Sequence, residues 1–242
     1  FNEGSKRAIE VRAPYGSLLN PRRPAPVRAR MLSAYRAYNA VMKALAPSVP
    51  DKVIAAGFDS TEIIVLSRLT DDGYKIYLEI LGGGYGASHQ GEGCDAVDSP
   101  LSNCSNVPVE AMDMEYDYFR VEDYSLVADS GGAGKYRGGL GFQRRYHILA
   151  DNVTFATYSD RFRLAPEGLF GGADGNCAST QVLRGDDVID LPSKVSYPLQ
   201  RGDILIAQTG GGAGYGLPKD RAQPDIERDL REGFISSQQA AE

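Results

Sequence analysis

Glycine is unevenly distributed along this chain, and its distribution constrains the fold more than any other feature of the sequence. The 242 residues include 28 glycines, well above the roughly 7% that is average for proteins. Most of them fall in four clusters, at residues 82–93, 131–141, 168–175 and 210–216. No fixed short period relates the clusters, which excludes collagen-like and simple repeat architectures. Because glycine gives the backbone unusual freedom, we expect these clusters to punctuate the regular elements of the fold.

The charge balance gives no sign of a nucleic-acid or membrane partner. Lys and Arg number 26 against 32 Asp and Glu, for a net charge of −6, and the isoelectric point is near 5.1. We therefore expect no basic surface for nucleic acid or anionic lipid, and no apolar run approaches the ~20 residues of a spanning helix. The segment after Phe1 lacks the features of a signal peptide. Three cysteines form no disulfide framework, which favours the reducing cytoplasm.

The potential metal ligands are few and poorly spaced. His89 and His147 are the only histidines, and Cys94, Cys104 and Cys177 are the only cysteines. Their spacing matches no common zinc pattern, and cysteine pairs two to four residues apart are absent. The sequence therefore predicts no metal site formed by this chain, and the cysteines are interpreted as ordinary buried thiols.

The first 60 residues are predicted to form an extended lead-in followed by a helix. Residues 1–26 are basic and rich in proline, which favours an extended segment on a surface. After Pro26, apolar residues recur at alternating spacings of three and four, the period of one helix face, and Pro47 closes the pattern. The residues on this amphipathic face are Val27, Met31, Tyr35, Tyr38, Met42 and Leu45.

Residues 61–242 are predicted to form a β-rich body that is punctuated by glycine and closed by short helices. A turn signal between the apolar runs Glu62–Leu69 and Tyr74–Leu81 predicts a hairpin. Strict alternation at Met112–Tyr118 predicts a half-buried strand with an acidic face. Because strands and helices do not alternate regularly, we expect an α+β fold. The remaining predictions are strands at Phe142–Leu149, Val153–Tyr158, Thr180–Leu183 and Asp203–Gln208, and helices at Pro224–Arg231, stopped by Gly233, and at Ser236–Ala241.

Two short motifs invite an enzymatic interpretation but fail on their context. Asp129–Gly132 resembles the sequence around a serine-protease nucleophile. Ala128 breaks the hydrolase elbow pattern, and His89 stands too close upstream for a protease of the two-barrel type. Gly134-Lys135 lacks both the first glycine and the hydroxyl residue of a P-loop. The sequence thus predicts a tight turn at Ser130 and shows no nucleotide-binding motif.

The first glycine cluster also carries the candidates for catalysis. His89, Glu92 and Asp95 lie between or beside glycines, where imidazole and carboxyl groups can act on a ligand held by backbone N–H groups. The alternative is that this loop needs its glycines for turns alone. If the three residues are catalytic, at least one should line a cleft near candidate substrate-positioning residues with amide or carboxylate groups, namely Asn103, Asn106 and Glu110.

Three more residues are candidate substrate contacts. Arg137 lies between Tyr136 and a glycine pair, and Asp160-Arg161 follow the predicted strand Val153–Tyr158, where a loop should begin. Arginine binds a phosphate or carboxylate through two parallel hydrogen bonds. The alternative is that Arg137 and Asp160 form an ion pair that ties two loops together.

Taken together, these segments resemble the hydantoinase B family. The family motifs recur in the expected order over nearly the whole chain, and Asp129–Gly141 is the most specific of them. Glu92 stands where the family usually has Asp and Ser88 where it often has Arg, so contacts to the substrate are expected to differ. The other matching segments are Asn20–Val27, Gly83–Ala87, Glu92–Ala96, Asn103–Glu110, Ser159–Arg161, Gly168–Gly172, Gly202-Asp203, Gly210–Gly216 and Arg228–Ser236.

The resemblance implies an enzyme subunit that works with an ATP-using partner. The family includes N-methylhydantoinase, 5-oxoprolinase and the acetone carboxylase group. A hydantoinase A-type partner phosphorylates an unreactive carbonyl or enol oxygen with ATP, and the hydantoinase B part acts on the activated small molecule. Family proteins are about twice as long, which implies a missing N-terminal half whose Asp and His motifs hold a metal. ATP and a divalent metal are thus expected in the complete complex rather than in this chain.

Three functions stay open at this point. The first is a subunit of an ATP-dependent cyclic amide hydrolase, and the second is a subunit of a ketone carboxylase. The third is a non-catalytic module that docks partner subunits. Because the chain shows no phosphate-binding motif, we expect it to be inactive alone and to hydrolyse no ATP.

Overall fold

The protein folds around two antiparallel β-sheets that pack face to face, with helices before, between and after their strands. The computed structural model describes residues 9–27, 30–97 and 108–241, together with Gly4 and Arg7. The arrangement confirms the predicted α+β class. Within these described ranges, no helix has the length and apolar character needed to cross a membrane.

The described part of the chain contains nine strands. One sheet has the spatial order β2-β1-β5-β8, the other has the order β3-β4-β9-β6-β7, and all neighbouring strands are antiparallel. Their bounds are β1 (Glu62–Thr70), β2 (Gly73–Leu81), β3 (Phe119–Leu126), β4 (Phe142–Ile148), β5 (Val153–Tyr158), β6 (Ser179–Arg184), β7 (Asp187–Leu191), β8 (Lys194–Leu199) and β9 (Ile204–Gln208).

The strand predictions hold for the hairpin β1–β2 and for the inner strands β4, β5, β6 and β9, each within one residue of the observed bounds. The strands without a prediction are β3, β7 and β8, and all three lie at the edge of a sheet. Edge strands are short and carry charge or proline, which weakens the apolar alternation that a sequence pattern detects. Pro198 in β8 is one such residue.

Three α-helices are present in the described ranges: α1 (Arg30–Leu45), α2 (Val109–Glu115) and α3 (Gln223–Glu232). Gly233 ends α3 in the left-handed conformation, with φ of 74°, which confirms the predicted stop. The helix predicted at Ser236–Ala241 is only a single 3₁₀ turn at Gln239–Ala241. Further 3₁₀ turns lie at Pro50–Lys52 and Pro218–Asp220.

The strand predicted at Met112–Tyr118 is wrong, because most of this segment belongs to α2. A strand would place Met112 and Met114 on the same face, but Met112 is buried and Met114 is exposed. The segment is rich in Glu, Ala and Met, which all favour helix over strand. Here helix propensity prevailed over an alternating pattern.

The hydrophobic core lies between the two sheets and follows the period-two alternation of their strands. A buried ion pair between Arg144 of β4 and Glu79 of β2 crosses this core, and the hydroxyl of Tyr146 donates to Glu79 at 3.1 Å. The apolar side chains of this core include Ile64, Leu66, Phe119, Phe142, Tyr146, Ile148, Phe155, Val182 and Leu205.

The four glycine clusters form one backbone bundle rather than four separate loops. Three consecutive residues, Gly212, Ala213 and Gly214, make six backbone hydrogen bonds to the other three clusters and to Ala56, at 2.8–3.1 Å. A strand in a flat sheet bonds only to neighbours in one plane. Backbone hydrogen bonds that point in several directions around the chain axis are instead typical of an extended chain with three residues per turn. The six partner residues are Gly139, Ala56 and Ala173 as acceptors and Gly132, Ala87 and Leu169 as donors.

Close approach of backbone to backbone explains why this bundle needs glycine. A Cβ atom on Gly84 would lie 1.9 Å from the carbonyl oxygen of Gly139, and one on Gly212 would lie 2.0 Å from that of Tyr85. Neither glycine has a positive φ. These glycines therefore allow backbone segments to pack closely against one another. This purpose differs from both a tight turn and the close approach of a ligand.

The outer face of the β1–β2 hairpin is apolar and exposed. Leu69, Tyr74, Ile76 and Leu78 each expose more than half of their surface, and cross-strand pairing places Leu69 opposite Tyr74. The outer face of edge strand β8 instead presents Lys194, Ser196 and Pro198. Proteins rarely leave a contiguous apolar patch without a use for it, so this hairpin is a candidate contact surface.

Candidate functional site

A network of three arginines and three carboxylates joins α3 to the glycine bundle. Its centre is Arg137, whose Nε donates to Asp229 at 2.9 Å and whose Nη1 donates to Asp95 at 3.0 Å. The same Nη1 donates to the carbonyl of Gly138 at 2.7 Å. Asp229 is completely buried and Arg137 nearly so. We call this the buried charge network; its members are Glu92, Asp95, Arg137, Arg221, Arg228 and Asp229.

Arg221 and Arg228 complete the network around α3. Arg221 donates to Asp229 at 2.6 Å and to Glu92 at 2.5 Å. Arg228 donates to Glu92 at 2.7 Å and to Asp229 at 2.9 Å. Asp95 also accepts from the backbone N–H of Leu140 at 2.7 Å. Each of the three carboxylates therefore has at least two donors, as a buried carboxylate needs.

This geometry favours a structural role for Arg137. Burial by itself would lower the pKa of the guanidinium, but Asp95 and Asp229 outweigh burial and raise that pKa. The ion-pair alternative is correct in kind but names the wrong partner, because Arg137 pairs with Asp95 and Asp229 rather than with Asp160. The fold brings α3 against the glycine bundle, and the spacing of residues along the sequence does not show this contact.

Two other arginines, Arg36 and Arg161, line an open cavity between α1 and the β-rich body. We call it the α1 cavity; it has a volume of about 250 Å³, and its polar lining consists of Arg36, Asn39, Lys43, Arg161 and Glu167. Arg36 donates to the carbonyl of Asp59 at 2.5 Å. Arg161 is buried and donates to the carbonyls of Ala165 at 2.9 Å and Phe58 at 3.3 Å. Arg161, a predicted substrate contact, thus borders open space.

The charges around the α1 cavity perturb one another. Burial, followed by the nearby positive charge of Arg36, lowers the pKa of Arg161 to about 10. Burial raises the pKa of Asp59 to about 6, although the N–H of Gly57 and the two arginines favour its ionised form. Asp59 also has a positive φ of 42°, and strained backbone at a non-glycine residue is common at functional sites.

The remaining candidate residues are dispersed. The ring of His89 meets the ring of Tyr215 edge-on, with centroids 6.2 Å apart. Glu110 is exposed in the first turn of α2, and the backbone N–H of Asp160 donates to Ser60 at 3.2 Å. Asn103 and Asn106 lie outside the described residues. The cleft expected near these two asparagines and Glu110 therefore stays a prediction.

A metal ligand set is not found in the described ranges. No group of three or more His, Cys, Asp or Glu residues there stands close enough to hold an ion. Cys94 and Cys177 are free thiols, but the interpretation of the cysteines as buried is wrong for both, because Cys94 is exposed and Cys177 is half-buried. Carboxylates of the buried charge network are already paired with arginines, so they do not suit a cation. The divalent metal expected for the complete complex does not fit these residues, and no chemical step is assigned to it.

The sequence pattern does not reveal all of the residues at the two charged regions. It places Arg36 on the polar side of the predicted helix and gives Asp59 no role. One signal is present, since Asp59 opens a polar run, Asp59–Glu62, that leads into the apolar strand β1 and ends on its first residue, and all four residues are buried. Asp229 belongs to the closing family-like segment, but the sequence does not indicate its arginine partners.

The fold resembles that of two solved enzymes. The ATP-dependent caprolactamase of Pseudomonas jessenii matches with a TM-score of 0.81 and 24% identity, over 98% of this chain and 43% of that chain. The nucleotide-free structure of an acetone carboxylase matches with a TM-score of 0.65 and 17% identity, over 81% of this chain and 31% of that chain. At these identities the likeness establishes the fold class shared by the three proteins.

Sequence similarity identifies the family. The model for Hydantoinase B/oxoprolinase matches residues 1–218. The putative B component of a D-/L-hydantoinase of Pseudomonas sp. strain NS671 is 34% identical over 242 residues, 99% of this chain and 40% of that protein. The 5-oxoprolinase of Dictyostelium discoideum is 31% identical over 219 residues, 89% of this chain and 16% of that protein. The chain belongs to the hydantoinase B/oxoprolinase family, and it spans less than half the length of these relatives.

Proposed function

We propose that this chain is the C-terminal part of a hydantoinase B-type subunit of an ATP-dependent cyclic amide hydrolase. The observation that carries the proposal is the 34% identity to the putative B component of a hydantoinase over nearly the whole chain. A 5-oxoprolinase is a second relative at 31% identity. Hydantoin and 5-oxoproline are both cyclic amides, so the two relatives point to one substrate class.

The chemistry of such a substrate explains why ATP would be required. The carbonyl group of a lactam is stabilised by resonance and reacts poorly with water. Phosphorylation of its oxygen makes the carbonyl carbon electrophilic. Water adds to that carbon, and the ring opens when the C–N bond breaks and the ring nitrogen takes a proton, which leaves an acyl phosphate. A second water then hydrolyses the acyl phosphate to a carboxylate and free phosphate. In this proposal a hydantoinase A-type partner makes the phosphorylated small molecule, and the hydantoinase B-type protein holds and hydrolyses it. Backbone N–H groups and arginines suit such an anion.

Within this scheme His89 is the proposed acid–base residue among the three catalytic candidates. The ring of His89 lies against the ring of Tyr215, and His89 is not a member of the buried charge network. Glu92 and Asp95 are held by arginines of that network, so we assign them positioning roles. Histidine is the side chain most often used for proton transfer near neutral pH.

The other components of the enzyme are also part of the proposal. ATP and a divalent metal are assigned to the hydantoinase A-type partner and to the part of the subunit that corresponds to the remaining length of the relatives. No nucleic acid or membrane partner is proposed. We place the reaction in the cytoplasm, where ATP is available and free thiols such as Cys94 and Cys177 stay reduced.

Two alternatives have an observation in their favour. The fold shared with an acetone carboxylase keeps a ketone carboxylase subunit as the runner-up, although the identity of 17% supports only the fold. The exposed apolar face of the β1–β2 hairpin suits a non-catalytic assembly module, because such a surface is typical of subunit contacts.

Reconstitution of the complete enzyme tests the proposal. This chain would be combined with the rest of the subunit and with an ATP-using partner, then supplied with hydantoin, 5-oxoproline or caprolactam. We expect ATP-dependent ring opening of at least one of them, no ATP hydrolysis by the chain alone, and lower turnover for His89→Gln. Carboxylation of a ketone with bicarbonate, without ring opening, would establish the runner-up. Unchanged turnover in His89→Gln, together with lost assembly in Ile76→Asp, would establish the assembly module.

A further inference from the structure

We infer that the α1 cavity binds the anionic group of a small one-ring organic molecule between Arg36 and Arg161. The inference deepens the proposed function and rests on it for the biological identity of the ligand. Anion binding itself is a property of this chain and does not require turnover.

The lining of the cavity has an excess of positive charge. Arg36, Lys43 and Arg161 line it, against one carboxylate, Glu167. Lys43 and Glu167 are mostly exposed and form an ion pair with each other at 2.5 Å. Arg161 is buried and Arg36 is half-buried, so these two arginines remain as the less exposed cations of the lining, and each disfavours the charge of the other. An anion between them would relieve that repulsion.

Asp59 and Asp160 offset this repulsion only in part. Both carboxylates lie close enough to influence Arg36 and Arg161 electrostatically. Asp59, however, is itself buried, and one of its oxygens accepts from the backbone N–H of Gly57 at 2.7 Å. No carboxylate among the described residues forms an ion pair with either arginine, in contrast to the arginines of the buried charge network.

Arg36 has an unused donor. Its Nε is buried, and no hydrogen-bond acceptor reaches it within the described part of the chain. Its Nη2 meets the carbonyl of Asp59. A buried N–H without an acceptor costs free energy, so protein groups leave this guanidinium incompletely satisfied. Arg161 contributes a rigid second contact, because backbone carbonyls on two loops hold it in place.

The size and the walls of the cavity suit a small organic molecule. Its volume of about 250 Å³ exceeds what a bare inorganic anion fills, and lies just below the usual range for ligand pockets. Apolar side chains of Met42, Ile54 and Leu169 complete the lining. A single ring that carries one carboxylate or phosphoryl group matches both features. A carboxylated cyclic amide and a phosphorylated cyclic amide share this chemistry.

Calorimetric titration of the full 242-residue chain tests the inference with three probes. Pyrrolidone carboxylate is a cyclic amide with a carboxylate, 2-pyrrolidone is its uncharged counterpart, and phenyl phosphate supplies a ring with a phosphoryl group. We expect at least one of the two anions to bind at least tenfold more tightly than 2-pyrrolidone. Binding of only one anion identifies the charged group of the ligand. Failure of both anions to bind would overturn the inference.

Variants locate the binding. Arg36→Gln removes one cation from the cavity and should weaken anion binding at least tenfold. Arg201→Gln makes the same charge change at an exposed residue outside the cavity lining, and should leave binding unchanged. If Arg36→Gln does not fold, as judged by circular dichroism, Arg36→Lys serves instead and should weaken binding at least threefold. Equal weakening in the Arg201 control, or none in the Arg36 variant, would refute this location.

The outcomes separate this inference from the proposed function. Anion binding that depends on Arg36, in an enzyme that opens no ring, would support the site and reject the hydrolase proposal. Ring opening by the reconstituted enzyme, with no anion binding by the chain, would reject the site and leave the hydrolase proposal standing.

Discussion

In the buried charge network three arginines meet three carboxylates, whereas in the α1 cavity two arginines line open space without a direct ion pair. Asp229 by itself accepts hydrogen bonds from all three arginines, Arg137, Arg221 and Arg228. By contrast, Arg36 and Arg161 donate to backbone carbonyls. Similar side chains therefore form a closed cross-link in one region and a site open to an anion in the other.

The partners of an arginine, rather than its presence, therefore indicate its role. A buried arginine that forms ion pairs with protein carboxylates stabilises the contact between two segments, and a substrate would have to displace those bonds. An arginine anchored by neutral carbonyls, with carboxylates only at a distance, keeps a positive charge that is compensated only in part and attracts an anion. Three predictions test this contrast, beginning with the largest effect.

Replacing Asp229 by Asn should destabilise the protein strongly. The change leaves three arginines around a neutral, buried amide, so we expect the free energy of unfolding to fall by about 3–5 kcal/mol. Urea denaturation would measure it. Glu232→Gln is the matched control on the same helix, where the carboxylate is half exposed, and should change stability by less than about 0.5 kcal/mol. A similar effect in both variants would contradict the role of the network.

Replacing Arg137 by Lys separates stability from binding. Lysine keeps the charge but cannot donate at once to Asp229, Asp95 and the carbonyl of Gly138. We therefore expect the free energy of unfolding to fall by about 1–3 kcal/mol. Anion affinity at the α1 cavity should stay unchanged. Arg36→Lys should show the reverse, with weaker binding and little loss of stability. Weaker anion binding in the Arg137 variant would show that the two regions are not independent.

The pH dependence of anion binding is the smallest predicted effect. Burial raises the pKa of Asp59 to about 6, so this carboxyl gains a proton as the pH falls through that value. Its negative charge beside Arg36 and Arg161 then disappears, and anion affinity should rise by roughly threefold to tenfold between pH 7 and pH 5. Asp59→Asn should bind tightly at both pH values. An unchanged pH dependence in that variant would assign the effect to another group, such as Asp160.

The outcome of the strand predictions has a physical explanation in the sheet positions. Inner strands such as β5 bury alternate residues, and a period of two is visible in the sequence itself. Edge strands such as β7 expose most of their residues, so their pattern is weak. At α2 the pattern is clear but misleading, because the local preference of Glu, Ala and Met for a helix is stronger.

The candidate site is harder to predict than the fold. Arg161 can be identified because a loop is expected after β5, and Glu92, Asp95 and Arg137 can be identified through the glycine clusters around them. The sequence does not single out Arg36 and Asp59, since each acquires its importance from neighbours that are distant in the chain. Arg36, for example, lies 23 residues from the carbonyl it contacts.

The family, the α+β class, the hairpin and the inner strands follow from the amino-acid sequence alone, because motif order and residue periodicity are local properties. The carboxylate partners of each arginine and the reason for the abundance of glycine emerge only when distant segments pack together. Arg137 and Asp229 are separated by 92 positions, and their contact exists only because α3 packs on the glycine bundle. The glycines likewise become necessary only when several backbone segments pack at distances that exclude a Cβ atom.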